Sequence, residues 1–342
     1  MIQVHNISKR YGDHFAVKEI SFHIERGKIY GLLGVNGAGK STTMNIITGC
    51  LSATSGQVII DGKDILDEPL EAKKKIGYLP EIPPLYSEMT PFEFLSFVAE
   101  AKGLSPELST RQVKEALALT GTDAVADRLI RNLSKGYKQR VGIAQALLGN
   151  PEVIILDEPT VGLDPKQMIE IRNLIKELGK TKTVIVSSHI LSEISAVCDH
   201  VMIISHGRLV ANDTIKNLED RNNEEQKLFL TVRGDEEKAL LLLQSLDGIT
   251  NLSQEITNIP SACRFSMSFS NDNDPRDTIF YTFAENKLPI IDITTNQVAL
   301  EDIFLQLTTD AFIEEEEAPR SDLEEYEGYV PQFTTDQEEE EQ

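Results

Sequence analysis

The segment from Gly34 to Thr42 constrains this chain more than any other, because it has the form GxxxxGK[ST]. Its glycines allow the backbone to turn tightly and to direct N–H groups at phosphate oxygens. Lys40 supplies a positive charge for the β- and γ-phosphates, and the Ser41 hydroxyl can ligate Mg²⁺. The pattern predicts a phosphate-binding loop, which we call the phosphate loop.

The residues on either side fit such a loop. The apolar run 29–33 predicts a buried strand that enters it, and 41–47 predicts a helix that leaves it. The N-terminal dipole of that helix favours a bound anion. A glycine turn that matches by chance is the alternative, and the strand–loop–helix context argues against it. The residues predicted to bind the phosphates are Gly34, Asn36, Gly37, Ala38, Gly39, Lys40, Ser41 and Thr42.

Length and patterning predict the fold class. A chain of 342 residues exceeds one ordinary domain and can bury a large core. Over the first two-thirds, strand-like apolar runs alternate with amphipathic helices, which predicts an α/β class with a substantially parallel sheet. No apolar run approaches the roughly 18 residues that span a bilayer, so we expect that the chain is not itself a channel or permease.

The N-terminus and the cysteines bear on the compartment. Residues 1–7 alternate like a strand and lack the basic and apolar regions of a signal peptide. Cys50, Cys198 and Cys263 are far apart and have no metal-ligand spacing. Each is therefore predicted to be a small buried side chain in a reducing compartment. Together these features predict a cytosolic protein.

The charge is strongly acidic and unevenly distributed. The net charge of −22 argues against general nucleic-acid binding. Residues 314–342 contain 13 acidic residues and one arginine, so they carry −12 of that total. Their low complexity, high charge and few apolar residues predict an acidic disordered tail.

Composition divides the rest of the chain into two predicted domains. Residues 1–220 form the first, and its pattern is helical between about 82 and 150. The polar stretch 219–225 is the best candidate for a boundary. Residues 226–308 predict the order strand, helix, strand, strand, helix, strand, with a last helix at 299–308. This order suggests a small α+β domain of the ferredoxin-like type, and it carries no catalytic constellation.

A pair of carboxylates follows a second apolar run. Residues 153–156 are all aliphatic, and Asp157 and Glu158 come directly after them. The run predicts a buried strand, so Asp157 would lie at its C-terminal edge, where it can hold Mg²⁺ directly or through water. Glu158 can take a proton from an attacking water, and losing such a base slows chemistry by roughly 10²–10⁴-fold. A solvated loop is the alternative for such a pair.

Other motifs accompany these residues in a fixed order. The phosphate loop is followed by LSKGYKQR at 133–140, VIILDEP at 153–159, GLDP at 162–165 and SSH at 187–189. This set, in this order, resembles the ATP-binding subunit of ABC transporters over about residues 1–220. No single motif is specific, but five in sequence are. The resemblance implies a P-loop ATPase core with a helical subdomain at about 82–150, and ATP and Mg²⁺ as cofactors.

The resemblance also implies roles for individual residues. Ser134 and Gly136 match the signature motif, which binds the γ-phosphate held by the other subunit. The site would therefore be complete only in a head-to-tail homodimer that encloses two ATP molecules. Asp164 resembles the residue that couples the two sites across the dimer. His189 resembles the histidine that contacts the γ-phosphate and orients the attacking water, with Glu158 as the base.

Three further positions need comment. Tyr11 resembles the aromatic residue that stacks on adenine, and an exposed tyrosine without that role is the alternative. Lys135 replaces the first of two adjacent glycines in the signature, as in exporter-type members. Glu81 stands where the family usually has glutamine, and its carboxylate can ligate Mg²⁺ or position water. The metal ligands predicted in this way are Ser41, Glu81 and Asp157.

These departures, together with the segment LEDIFLQL at 300–307, resemble exporter ATPases of the drug-resistance, sodium-extrusion and gliding-motility kind. Such subunits pair with a separately encoded polytopic membrane permease. The resemblance therefore implies an ATPase that dimerises around two Mg·ATP and drives a permease from the cytoplasmic face of the inner (cell) membrane, as a peripheral protein. Its helical subdomain would receive a cytoplasmic helix of the permease. No nucleic-acid partner is expected.

Two other functions stay open at this point. One is an ABC-type ATPase that acts on ribosomes or DNA without a membrane partner, although such translation factors usually carry two ATPase domains and this chain has one phosphate loop. The other is an ATPase that drives a membrane partner mechanically without transport, which the sequence does not separate from export. The acidic tail also has two interpretations, a solvated end or a regulatory segment that contacts basic permease loops or the ATP site.

Overall fold

A computed structural model describes residues 1–221, 226–257, 259–269 and 274–296, together with Phe304. In residues 1–221 the strands are β1 (Ile2–Tyr11), β2 (His14–Ile24), β3 (Ile29–Leu33), β4 (Ser55–Ile60), β5 (Lys63–Asp64), β6 (Ile76–Leu79), β7 (Val153–Leu156), β8 (Thr183–Ser188), β9 (His200–Ser205) and β10 (Arg208–Thr214). The helices there are α1 (Lys40–Ile47), α2 (Pro69–Lys74), α3 (Pro91–Ala101), α4 (Pro106–Leu119), α5 (Lys135–Leu147), α6 (Pro165–Gly179), α7 (Leu191–Ser195) and α8 (Ile215–Arg221).

Six of these strands form the central sheet, in the order β10-β9-β3-β8-β7-β6. The neighbours from β9 to β6 are parallel, and β10 pairs antiparallel with β9 at the edge. Strands β3, β7 and β8 are buried along their whole length, as expected for strands covered on both faces. The sheet confirms the predicted α/β class. Its carboxyl-terminal edge brings together the loops that follow β3, β7 and β8.

A smaller antiparallel sheet, β2-β1-β4-β5, shares a hydrophobic core with α1 and with the central strands. Its hairpin runs beyond the strand-like residues 1–7, because β1 continues to Tyr11 and β2 begins at His14. Bulges or irregularities shift the register of the two strands at three points, and the strands nevertheless stay paired through a mostly polar stretch. The extension carries Tyr11 to the tip of the hairpin, where the residue is 52% exposed.

Helices α3, α4 and α5 pack around a core of their own, within the segment predicted to be helical. Helix α3 begins with a capping box, in which Thr90 Oγ1 accepts from the Glu93 N–H and the Glu93 carboxylate accepts from the Thr90 N–H. Beside it, the half-exposed ring of Tyr86 lies 5.9 Å from the ring of Phe94 and 5.6 Å from that of Phe97, between centroids.

The second unit contains β11 (Gln226–Arg233), α9 (Glu236–Gln244), β12 (Ile249–Glu255), β13 (Ala262–Phe269), α10 (Arg276–Glu285) and β14 (Ile290–Asn296). Its four strands form an antiparallel sheet in the order β12-β13-β11-β14. One face packs against α9 and α10 through residues such as Leu230, Phe265 and Phe283. The predicted last helix (299–308), apart from Phe304, and the predicted acidic tail (314–342) lie outside the described residues.

The cysteines differ from one another in burial. Cys198 and Cys263 are buried, as predicted, and burial raises the pKa of both thiols. The prediction for Cys50 was wrong, because this residue is exposed. It follows Gly49 in the turn that ends α1, where the chain leaves the core and the apolar neighbours in the sequence no longer surround the side chain.

Candidate functional site

The phosphate loop connects β3 to α1, as the sequence predicts, and its backbone leaves no room for side chains at two glycines. Gly39 has φ +107°, and a Cβ there would lie 2.5 Å from the backbone oxygen of Ala16. A Cβ at Gly34 would lie 2.5 Å from the backbone oxygen of Ile204. Gly37 also has a positive φ, of +82°. The loop is therefore a tight backbone cradle at the positive end of a helix, an arrangement that suits a phosphate.

Lys40, the first residue of α1, is held inside this cradle. Its side chain is 6% exposed, and Nζ donates to the backbone oxygens of Gly34 at 2.8 Å and Val35 at 3.3 Å. The same Nζ lies 3.3 Å from Oε1 of Glu158, an ion pair without hydrogen-bond geometry. The lysine charge therefore faces a carboxylate that comes from another strand of the sheet.

A cleft of about 310 Å³ opens beside the loop. The residues that line it are Ala16, Asn36, Gly37, Gly39, Lys40, Ser41, Thr42, Glu81, Glu158, Val161 and His189. The structure thus brings together most of the predicted phosphate ligands, the predicted Mg²⁺ ligands Ser41 and Glu81, and both predicted catalytic residues. Ala38 is 3% exposed and packs behind the loop. Its Cβ lies 3.1 Å from the position that a Cβ at Gly34 would take.

Asp157 and Glu158 follow β7 and are both buried, at 1% and 6% exposure. The hydroxyl of Ser187, near the end of the adjacent strand β8, links them. Its Oγ donates to Oδ1 of Asp157 at 2.5 Å and accepts from the N–H of Glu158 at 2.7 Å. Asp157 also acts on Tyr78, because burial and then the charge of Asp157 raise the pKa of that phenol, which donates to Oδ1 of Asn45 at 3.1 Å.

Glu158 also contacts His189, the residue that follows β8. Oε2 of Glu158 lies 2.9 Å from Nδ1 of His189, so an ionised Glu158 requires that nitrogen to carry the proton. Glu158 has φ +47°, in the left-handed region that non-glycine residues rarely adopt. Backbone strain of this kind persists where the surroundings impose it and concentrates at functional sites. The carboxylate is therefore fixed between a lysine and a histidine at the wall of the cleft.

Seven predicted site residues do not line the cleft. Gly34, Ala38 and Asp157 are buried next to residues that do, and the other four lie elsewhere. Ser134 caps α5, with its Oγ accepting from the Tyr137 N–H at 3.4 Å, and Asp164 caps α6, with Oδ1 accepting from the Gln167 N–H at 2.9 Å. Gly136 is buried where a Cβ would lie 2.5 Å from Oε1 of Gln167. These three residues form a second cluster at the starts of α5 and α6. Tyr11, the fourth, is at the tip of the β1–β2 hairpin.

Sequence reasoning missed the residues that hold the site together. Ser187 appeared only as part of the motif around His189, and neither Thr160 nor Glu193 was singled out. Glu193, in α7, accepts from Thr160 Oγ1 at 2.7 Å and from Ser188 Oγ at 3.0 Å. Two consecutive hydroxyls at the end of an apolar run were the available signal, since a buried hydroxyl at a strand end requires a partner.

The residues of the site suit a nucleoside triphosphate, and they also include possible ligands for a divalent cation. A glycine cradle that Cβ atoms would fill, a buried lysine and a helix N-terminus fit a phosphate chain. The hydroxyl of Ser41 and the carboxylates of Asp157 and Glu81 are hard oxygen donors of the type that Mg²⁺ prefers. Among the described residues, no group of three or more His, Cys, Asp or Glu side chains converges as a metal site. No helix in that part of the chain is long and apolar enough to cross a bilayer.

Comparison with known proteins agrees with this geometry. A family model described as ABC transporter matches residues 17–161. The chain is 33% identical over 309 residues to the linearmycin resistance ATP-binding protein LnrL of Bacillus subtilis, covering 90% of this chain and 98% of the relative. It is 34% identical over 309 residues to the bacitracin transport ATP-binding protein BcrA of Bacillus licheniformis, covering 90% and 97%.

Solved structures resemble about two-thirds of the chain. The ATP-binding subunit of an ABC transporter superposes with a TM-score of 0.59 and 32% identity, over 65% of this chain and 92% of that one. An ATP-binding cassette in a dimeric post-hydrolysis state, bound to ADP and Pi, superposes with a TM-score of 0.58 and 29% identity, over 63% of this chain and 99% of that one.

Proposed function

Because this chain belongs to the ABC transporter family, we infer that it is the ATP-hydrolysing subunit of an exporter and that Glu158 and His189 perform the hydrolysis. The contact of Glu158 with both Lys40 and His189 at the mouth of the phosphate loop is the observation that carries this assignment. It puts a base within reach of the place where the phosphate loop would hold the terminal phosphate. Relatives with names of resistance and transport proteins match the chain over 90% of its length.

The chemistry follows from this arrangement. Bound Mg·ATP supplies the γ-phosphoryl group and the cation that neutralises its charge. Lys40 and the N–H groups of the phosphate loop bind the phosphates and stabilise the charge on their oxygens. Glu158 takes a proton from the attacking water at a carboxylate oxygen, and His189 orients that water through its contact with Glu158. The water oxygen bonds to the γ-phosphorus while the bond from that phosphorus to the β–γ bridging oxygen breaks, so that ADP and phosphate are the products. Ser41, Asp157 and Glu81 are the residues that we assign to Mg²⁺.

The second cluster belongs, in our proposal, to the site of another subunit. Ser134 and Gly136 are at the start of α5 and do not line the cleft of their own chain. In a head-to-tail homodimer they would bind the γ-phosphate held by the partner, with Asp164 connecting the two sites. The similarity to a dimeric ATP-binding cassette supports this assignment. Tyr11 is assigned to the adenine, from the hairpin whose residue Ala16 lines the cleft.

Exposed apolar side chains of the helical subdomain are assigned to the permease. Ile82, Tyr86 and Phe97 are 82%, 50% and 44% exposed beside the core of α3–α5. An apolar surface of this kind suits a helix of a polytopic membrane partner. The chain would then act peripherally at the cytoplasmic face of the membrane, and the partner would recognise the exported molecule, for which the resistance and transport names of the relatives suggest an antibiotic.

We assign residues 1–220 to the nucleotide-binding domain, with its helical subdomain at about 82–150, and residues 226–308 to an accessory domain. The strand order β12-β13-β11-β14 with two helices on one face supports a ferredoxin-like type for the accessory domain. Residues 314–342 are assigned to the acidic disordered tail on composition alone.

A pull-down from detergent-solubilised native membranes tests the function. The bait is tagged Glu158→Gln protein with ATP, and the control is the tagged wild type with ADP. A polytopic membrane protein in stoichiometric amount with the variant is the expected result. Ribosomal or other non-membrane partners alone would leave the ATPase assignment standing and overturn the exporter assignment. Normal ATP hydrolysis by Glu158→Gln would remove Glu158 as the base.

A further inference from the structure

The carboxylate of Glu193 joins the two loops that carry Glu158 and His189. Its Oε2 accepts hydrogen bonds from Thr160 Oγ1 at 2.7 Å and from Ser188 Oγ at 3.0 Å. Thr160 lies two residues after Glu158, and Ser188 directly precedes His189. One oxygen atom therefore ties the loop after β7 to the end of β8.

This link is enclosed by protein. Glu193, Thr160 and Ser188 are 8%, 6% and 1% exposed. The N–H of Ile190 also donates to Ser188 Oγ at 3.0 Å, so Ser188 is fixed from two sides. Buried hydrogen bonds to a carboxylate are stronger than those in water, and they restrict the geometry of the groups that make them.

Stability alone does not account for a carboxylate here. The other oxygen of Glu193, Oε1, is buried and has no hydrogen-bond partner among the described residues. Glu193 also lines a void of about 10 Å³, together with residues that include Arg172 and Cys198. An unsatisfied buried acceptor costs free energy, and a well-packed apolar side chain often stabilises such a position as well or better. We therefore look for the role of this carboxylate in the two hydroxyl groups that it binds, those of Thr160 and Ser188.

Thr160 and Ser188 lie beside Glu158 and His189, in the part of the site where the backbone is strained. Glu158 has φ +47°, and its carboxylate reaches His189 only while the two loops keep their present separation. We propose that Glu193 is a positioning residue for hydrolysis, which holds the Glu158 loop against the His189 loop and so maintains their 2.9 Å contact. The proposal rests on the proposed roles of Glu158 and His189.

Two substitutions at Glu193 with side chains of similar size test the hydrogen-bond acceptor, because one removes it and the other keeps it. Glu193→Leu removes the acceptor, and we expect kcat for ATP hydrolysis to fall about 10- to 100-fold, as misplaced catalytic groups do. KM for ATP should stay unchanged, because Glu193 does not line the phosphate loop. Glu193→Gln keeps a carbonyl oxygen that can accept from both hydroxyls, and its kcat should stay within about threefold of the wild type.

The control variant is Thr122→Val, which also removes a buried hydrogen-bonding group, but in the helical subdomain. Thr122 Oγ1 pairs with Thr120 Oγ1 at 2.9 Å and is fully buried. This change should lower the melting temperature without changing kcat. Thr160→Val, with Glu193 intact, provides a second variant of the link in case Glu193→Leu does not fold, and it should lower kcat with an unchanged KM.

The outcomes are distinct. If Glu158→Gln abolishes hydrolysis but Glu193→Leu and Thr160→Val keep the wild-type kcat, the positioning role is wrong and the proposed function stands. If KM rises with kcat constant, or if Glu193→Gln is as slow as Glu193→Leu, the acceptor does not position the base. If Glu158→Gln itself hydrolyses ATP normally, the failure lies in the proposed function.

Discussion

At the scale of single residues, the Ser187 hydroxyl fixes two carboxylate residues at once. It donates to Asp157 and accepts from the N–H of Glu158, so the residue assigned to Mg²⁺ and the residue assigned as base share one partner. The N–H of Glu158 belongs to a residue in the left-handed region, and this hydrogen bond satisfies it inside the protein. Ser187 therefore sets the direction in which both side chains point.

Replacing Ser187 by alanine should slow hydrolysis more than it weakens ATP binding. The change frees Oδ1 of Asp157 and leaves the N–H of Glu158 buried without a partner. We expect kcat to fall about 10- to 100-fold, as when residues behind a metal ligand are removed, with a higher Mg²⁺ concentration at half-maximal rate. Steady-state ATPase assays across a Mg²⁺ titration measure both quantities.

Ser205→Ala is the matched control for this prediction. Ser205 ends the parallel strand β9, which β3 separates from β8, and it is 1% exposed. Among the described residues its Oγ has no hydrogen-bond partner. Its removal should leave kcat and the Mg²⁺ response unchanged. Equal losses in Ser187→Ala and Ser205→Ala would show that any buried serine at this edge matters and would contradict a specific role for Ser187.

A site residue can be predicted from the sequence when the residues next to it in the chain indicate both its role and its place in the fold. Lys40 follows a glycine pattern, and Glu158 follows an aliphatic run, so both were found without the fold. Ser187 and Ser188 are neighbours with the same side chain, yet one contacts Asp157 and the other contacts Glu193. Alternating side-chain direction along β8 separates them, and the partners come from other loops that no local pattern identifies.

At the scale of elements, the close approach of α5 to β6 positions the signature segment relative to the sheet. Gly77 in β6 has no side chain, and a Cβ there would lie 1.9 Å from the backbone oxygen of Ala146 in α5. The end of β6 also supports the site, because Leu79 O accepts from the N–H of Asp157 at 2.9 Å. Packing at Gly77 therefore connects the helix that begins after Ser134 with the strand that leads to Glu81.

We expect Gly77→Ala to destabilise the fold by about 1–3 kcal/mol or more, since backbone must move to admit the methyl group. Gly103→Ala serves as control, because Gly103 has φ +76° and nothing within 4 Å of its Cβ position, so only the backbone strain of about 1 kcal/mol applies. Denaturant unfolding followed by circular dichroism compares the two. A smaller loss at Gly77 than at Gly103 would mean that α5 moves away from β6 at little cost.

Element positions were predictable to different extents. Strands β3, β7 and β8 are short apolar runs buried on both faces, so the pattern alone located them. In the C-terminal unit the predicted order strand, helix, strand, strand, helix, strand also matches the elements from β11 to β14. The insertion of β3 between β8 and β9 was not predicted, because that pairing joins residues that are distant in the sequence.

At the scale of the whole molecule, the predicted site residues lie in two separate places. The cleft is lined by the phosphate loop, Glu81, Glu158 and His189, whereas Ser134 and Gly136 form a separate cluster at the starts of α5 and α6. In the proposed head-to-tail dimer, a complete site therefore uses residues from two copies of the chain. ATP should be the ligand that joins the copies, because each phosphate chain would contact both.

Glu158→Gln protein should therefore change mass with ATP. Light scattering after size exclusion should give the 38.1 kDa monomer without nucleotide and twice that mass with Mg·ATP. Lys40→Ala in the same background should stay monomeric, because it removes the charge that holds the phosphates. A mass of 38.1 kDa for Glu158→Gln at saturating ATP would contradict the shared site.

The strand order also has a consequence for synthesis on the ribosome. Strand β3, which leads into the phosphate loop, pairs with β8 on one side and β9 on the other, so Tyr30 reaches its sheet partners Ile185 and His200 only after most of the domain has been made. At about 5–20 residues per second, the glycine loop waits roughly 10–30 s for those strands. A nascent chain therefore cannot hydrolyse ATP early, and ribosome stalling before β9 yields a product without an assembled catalytic centre.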